Sequence, residues 1–171
     1  MDNTTKLTHF AEHLKQADGL LITAGAGMGV DSGLPDFRGD QGFWKAYPPL
    51  KHLGKSFVDM ATPELFHANP KLAWGFYGLR LNAYRAVEPH QGFHLLKKWS
   101  ETLPNLKNGS FVFTSNVDGE FQKVGFKDNN VFECHGSIHW LQCLDNCTKA
   151  IWSADDFKPV NRPGIVGDPK L

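Results

Sequence analysis

The sequence has no long apolar run, no net charge, no internal repeat and only three cysteines in 171 residues. No stretch approaches the roughly 20 apolar residues of a membrane span. The polar start Met1-Asp2-Asn3-Thr4-Thr5 opens an amphipathic pattern and lacks the apolar core of a signal peptide. No membrane contact and a cytoplasmic location are expected. Eighteen Lys and Arg offset eighteen Asp and Glu, so no global field steers the chain toward nucleic acid, and no basic run supplies a local one. Cys134, Cys143 and Cys147 are odd in number and clustered, which argues against a disulfide framework and for reduced thiols or metal ligands.

Apolar content and aromatics suffice for one domain with a sizeable core. Leu7, Phe10, Ala11 and Leu14 recur at helical spacing after the candidate caps Thr4 and Thr5, and Gly19 precedes the apolar run Leu20-Leu21-Ile22. This predicts helix, turn and buried strand. The strand runs into Thr23-Ala24-Gly25-Ala26-Gly27-Met28-Gly29, whose glycines let backbone N–H groups approach a ligand such as a phosphate. From Pro35 to Pro63 the chain is rich in Gly, Pro and aromatics without clean periodicity, which predicts a long functional loop. Leu72, Phe76, Leu79 and Ala83 mark a second helix, and Phe93, Leu96, Trp99 and Leu103 a third; both are expected to pack on a sheet.

Phe111-Val112-Phe113-Thr114 reads as a strand ending in the polar Ser115-Asn116-Val117-Asp118, and Val131-Phe132-Glu133 as one leading to Cys134-His135-Gly136-Ser137. In open α/β sheets, ligands sit outside the carboxyl ends of the strands, so these junctions are expected to converge on one crevice. A Gly-Ala-Gly turn alone is equally explained by tight-turn geometry, and Val30 stands where a dehydrogenase fingerprint has its third glycine.

Directly downstream lies Gly33-Leu34-Pro35-Asp36-Phe37-Arg38-Gly39. With the Gly-Ala-Gly turn, the Ser-Asn-Val-Asp strand end and the His-Gly-Ser segment, it gives four motifs in an order that resembles the sirtuin family, NAD-dependent protein-lysine deacylases, over roughly residues 7 to 147. The resemblance implies a Rossmann-like α/β fold, a parallel sheet flanked by helices. Its implied parts are 1–40 and 88–137, with a helical and cofactor-loop insertion over 41–87 and a partial zinc module over 138–171. It implies NAD as cosubstrate, contacted by Gly25, Ala26, Gly27, Asp36, Phe37, Arg38, Ser115, Asn116, Asp118 and His135. Ala26 and its glycines would face the pyrophosphate, Arg38 a phosphate or ribose, and Phe37 would screen the reacting ribose carbon. His135 is the implied general base, Asn116 orients the ribose or a water, and Asp118 holds the nicotinamide carboxamide.

The implied reaction is displacement of nicotinamide by the acyl-lysine carbonyl oxygen, followed by base-assisted attack of a ribose hydroxyl and release of lysine with O-acyl-ADP-ribose. Acylated protein lysines are then the partners. Tyr77 and Arg80 resemble the pair that binds the acyl carboxylate in the desuccinylase and demalonylase branch, and a spacing of three puts both on one helix face; a solvated Arg beside a packed Tyr would look the same. Cys143 matches the first zinc ligand of the family, but the gap to Cys147 is three residues instead of two, and no second cysteine pair follows before Leu171. A tetrahedral zinc wants four ligands, which leaves a half-site with Cys134 and His139 as substitutes.

Gly29 and Ser115 stand where sirtuins usually have serine and glutamine. The strands that bind the adenosine half would follow Leu171, so the sheet is expected to be incomplete at its C-terminal side and to self-associate through the uncovered surface. Other readings of the same motifs are an NAD hydrolase or ADP-ribosyltransferase, or a non-catalytic NAD- or protein-binding module.

Overall fold

The computed structural model describes residues 2–36 and 39–159. Helix α1 (Asn3–Gln16) is capped by Asp2, one residue before the helix, and not by Thr4 or Thr5: the Asp2 carboxylate accepts from the Thr5 N–H at 2.7 Å and from its hydroxyl. None of its residues is buried. Phe10 meets Trp99 of a later helix, while Leu7 stays exposed.

Strand β1 (Leu20–Ala24) runs parallel to β2 (Ser110–Thr114), and β2 parallel to β3 (Val131–Glu133), in the order β1-β2-β3. Parallel neighbours demand long crossovers, and the 85 residues between β1 and β2 hold all the helices from α2 to α7. These are α2 (Gly39–Ala46), α3 (Pro48–His52), α4 (Phe57–Met60), α5 (Pro63–Ala68), α6 (Pro70–Ala86) and α7 (Gln91–Thr102). A short α8 (Glu120–Lys123) follows β2, and β4 (Trp140–Gln142) and β5 (Ile151–Ser153) form a separate antiparallel ribbon.

Two cores result. On one face of the sheet, Ile22 and Val112 pack with Phe93 of α7, Phe121 of α8 and Phe126. The expected packing of α7 on the sheet is thus present. Helix α6 departs from that expectation: its Ala73 and Phe76 close a second core with Phe43, Tyr47, Leu50, Met60 and Leu65. The segment expected to be a long loop instead holds three short helices, α2 to α4, and runs into a fourth, α5, all packed around buried aromatics. Helices of four to eight residues present only one or two apolar contacts each, too few for a 3.6-residue period to show in the sequence.

The opposite sheet face is open among the described residues. Leu21 pairs with Phe111 and Phe113 with Phe132, and all four side chains are exposed. The strand β1 expected to be buried is buried only at Ile22. Parallel strands normally carry cover on both faces. No helix of the described residues is long and apolar enough to cross a membrane.

Candidate active site

The strand ladder fixes where the polar loops begin. The Ser115 N–H donates to the Ala24 carbonyl at 3.1 Å and the Cys134 N–H to the Thr114 carbonyl at 2.9 Å, so the three chain segments leave the sheet side by side at its carboxyl end. A crevice of about 1000 Å³ opens there. Ala26, Ser115, Asn116, Asp118 and His135 line it on the sheet side, and Tyr77 and Arg80 on the α6 side. Cys143 also reaches it. Gly25, Gly27 and Asp36 lie beside the crevice without lining it, and Phe37 and Arg38 fall outside the described residues.

Asn116 is 7% exposed, and its amide nitrogen is buried with no hydrogen-bond partner among the described residues. Its backbone N–H is fixed by the Thr114 hydroxyl at 3.0 Å. A buried donor without a partner costs roughly 1–3 kcal/mol, so an acceptor brought to this amide would stabilise it. Asp118 sits two residues on, and its carboxylate accepts from the Glu120 N–H at 3.0 Å. Burial pushes the Asp118 carboxyl above its ordinary value, opposed by that N–H and by the charges of Lys123 and His139. His135 is exposed at the mouth, and no hydrogen bond engages its ring among the described residues.

His139, considered from sequence as a zinc substitute, does another task. Its Nε2 lies 2.8 Å from the Asp118 carbonyl oxygen, and its ring occupies the space where a side chain at position 119 would stand. Gly119 has φ +74°, so both backbone conformation and space require glycine.

Arg80 is 6% exposed, which removes the solvated alternative. Its guanidinium lies over the rings of Phe57, Phe76, Tyr77 and Tyr84 at 5.3–6.0 Å, and Nη2 donates to the Tyr84 hydroxyl at 2.9 Å. Burial raises the Tyr77 phenol, opposed by Arg80. Tyr84 escaped the sequence reading, although its spacing of four from Arg80 places it on the same helix face. Phe57, from the segment expected to be loop, could not be placed at all from sequence.

The metal expectation gains no support among the described residues. Cys143 and Cys147 are joined as a disulfide, contrary to the reading of clustered thiols as reduced or ligating. The turn between them brings their Cα atoms to 6.1 Å, within bridging range. Cys134 is an exposed free thiol, His139 is committed to Asp118, and no group of three His, Cys, Asp or Glu is gathered for a metal among the described residues. These residues do not fit a zinc ion.

A model of the Sir2 family matches residues 25–163. An NAD-dependent protein deacylase of Aquifex aeolicus is 35% identical over 126 residues, covering 74% of this chain and 47% of that protein. The NAD-dependent protein deacylase sirtuin-5, mitochondrial, of Danio rerio is 32% identical over 141 residues, 82% of this chain and 43% of that one. A solved Sir2 variant with a deacetylated p53 peptide and 3′-O-acetyl ADP-ribose superposes with a TM-score of 0.63 at 25% identity, over 88% of this chain and 54% of that chain. The chain spans about half the length of the curated relatives it matches. With a Rossmann-like parallel sheet and a family match over most of its length, the chain belongs to the Sir2 family.

Proposed function

We propose that the chain is the nucleotide- and acyl-facing part of an NAD-dependent protein-lysine deacylase. The observation that carries this reading is the unpartnered buried amide of Asn116 beside Asp118 and Ser115 at the parallel strand ends. Relatives named NAD-dependent protein deacylase, and a structural neighbour holding a deacetylated peptide with an acetyl ADP-ribose, support it.

In this reading Ala26 and the flanking Gly25 and Gly27 present backbone N–H groups to the dinucleotide phosphates. Asp36, Phe37 and Arg38 are carried over from the family pattern as further contacts of the same molecule. Asn116 donates its orphaned amide to a ribose or ordered-water oxygen, and the Asp118 carboxylate accepts from the nicotinamide carboxamide. His135, exposed and not engaged among the described residues, takes a hydroxyl proton at a ring nitrogen. NAD supplies, when bound, a ribose carbon with a displaceable nicotinamide. Tyr77 and Arg80 favour acidic acyl groups such as succinyl or malonyl, because a guanidinium walled by four aromatic rings gains most from a carboxylate.

We read the chain as Rossmann-like parts over 1–40 and 88–137, a helical insertion over 41–87, and a ribbon module from 138 onward. The open sheet face is the proposed contact with a further polypeptide, a second copy of the chain included.

Incubating the purified chain with NAD and parallel acetyl-lysine and succinyl-lysine peptides, with mass-spectrometric resolution of products, tests the reading. O-acyl-ADP-ribose that disappears in His135→Ala supports it. NAD consumption without dependence on acyl-peptide favours hydrolase or transferase chemistry. NAD binding without turnover favours a binding module.

A further inference from the structure

The wall of the crevice at Ala26 and Gly29 belongs to a seven-residue 3₁₀ helix over Ala26–Ser32. Runs of this helix longer than three or four residues are uncommon, because their hydrogen bonds are poorly aligned. Its N-cap, Gly25, offers no side-chain hydrogen bond. The turn needs support from outside: Met28 packs against the sheet-side core, and polar contacts come from His90, 62 positions from Met28.

The His90 ring Nε2 lies 2.9 Å from the Met28 carbonyl oxygen, in the middle of the turn. The His90 backbone N–H donates to the Ser32 hydroxyl at 3.0 Å, at the end of the turn. The other ring nitrogen, Nδ1, accepts from the Gly92 N–H at 2.9 Å and caps α7. A ring that accepts at Nδ1 and faces a carbonyl at Nε2 carries its single proton on Nε2, so both contacts are made by the neutral imidazole. Phe93 holds the ring edge-on at a centroid distance of 5.0 Å. A Cβ at Gly92 would stand 2.4 Å from the ring Cε1, so only glycine leaves the ring in this place.

We propose that His90 is a positioning residue for the cofactor-facing turn, holding Met28 and Ser32 so that Ala26 and Gly29 keep their places in the crevice wall. This rests on the NAD reading for its functional consequence. The cap on α7 and the pin on the turn are separable: asparagine at 90 retains a short acceptor for the Gly92 N–H but does not reach Met28.

The test compares the parent chain with His90→Asn and His90→Ala, measuring NAD affinity by calorimetry and amide hydrogen exchange over residues 26–32 without NAD. Loss of the Met28 contact is expected to weaken NAD binding about tenfold in both variants. Exchange over 26–32 is expected to accelerate in both, while exchange within α7 accelerates only in His90→Ala. Parent-like NAD affinity and parent-like exchange over 26–32 in His90→Asn would show a simple helix cap and overturn the proposal. A parent chain that takes up no NAD refutes the NAD reading, and the exchange comparison still decides the role of His90.

Discussion

Lys123 Nζ lies 2.8 Å from Glu120 Oε1 and donates as well to the Tyr84 and Val87 carbonyls, at 2.5 and 2.6 Å. One ammonium thus pairs with one oxygen of a fully buried carboxylate, whose other oxygen has no hydrogen-bond partner among the described residues, and ties the last turn of α6, the helix that carries Tyr77 and Arg80, to the turn carrying Asp118. Burial raises the Glu120 carboxyl, and Lys123 opposes that rise.

Replacing Lys123 by Met strands Glu120 without its counter-charge, at an expected cost of about 3 kcal/mol. The double variant Glu120→Leu/Lys123→Met is expected to regain most of that loss, because two apolar side chains need no pairing. Urea denaturation of the parent and the two variants measures it. Equal losses in the single and double variants would show that the carbonyl contacts, and not the pair, carry the stability.

Gly119→Ala forces a side chain into a left-handed conformation and against the His139 ring. The backbone strain alone is worth on the order of 1–3 kcal/mol. In a His139→Ala background the steric part is expected to vanish and the strain to remain. A double-mutant cycle with no coupling between the two positions would contradict the contact.

Asp118→Asn tests the burial of that carboxylate through pH. A carboxyl raised in the folded state binds its proton more tightly there than in the unfolded chain, so its ionisation lowers stability as pH rises from the ordinary carboxylate value through the folded one. The stability of Asp118→Asn relative to the parent is therefore expected to grow with pH across that window. Denaturation midpoints at several pH values report it; a pH-independent difference would mean that Asp118 ionises in the fold as it does in water.

The open sheet face predicts association through Phe111 and Phe132. Phe111→Lys/Phe132→Lys is expected to lower the sedimentation coefficient of the chain at high concentration, with little loss of stability since both rings are exposed. An unchanged coefficient would place any self-contact elsewhere.

Where short-range physics acts, the sequence alone is informative. The period of Leu7, Phe10, Ala11 and Leu14 gives α1, the short apolar runs give β1, β2 and β3, and the polar residues following them stand together because parallel strands end on the same side. What the tertiary structure decided depends on residues far apart in the chain. Four short helices became a core only because Phe43, Tyr47 and Phe76 meet across 33 residues. Arg80 proved buried because Phe57 and Tyr84 enclose it, and His139 serves Asp118 instead of a metal because the ribbon docks beside the turn at Gly119. Local propensity and spacing register the first kind of information. Enclosure, pairing and the fate of Cys143 and Cys147 are properties of packing, which no window along the sequence contains.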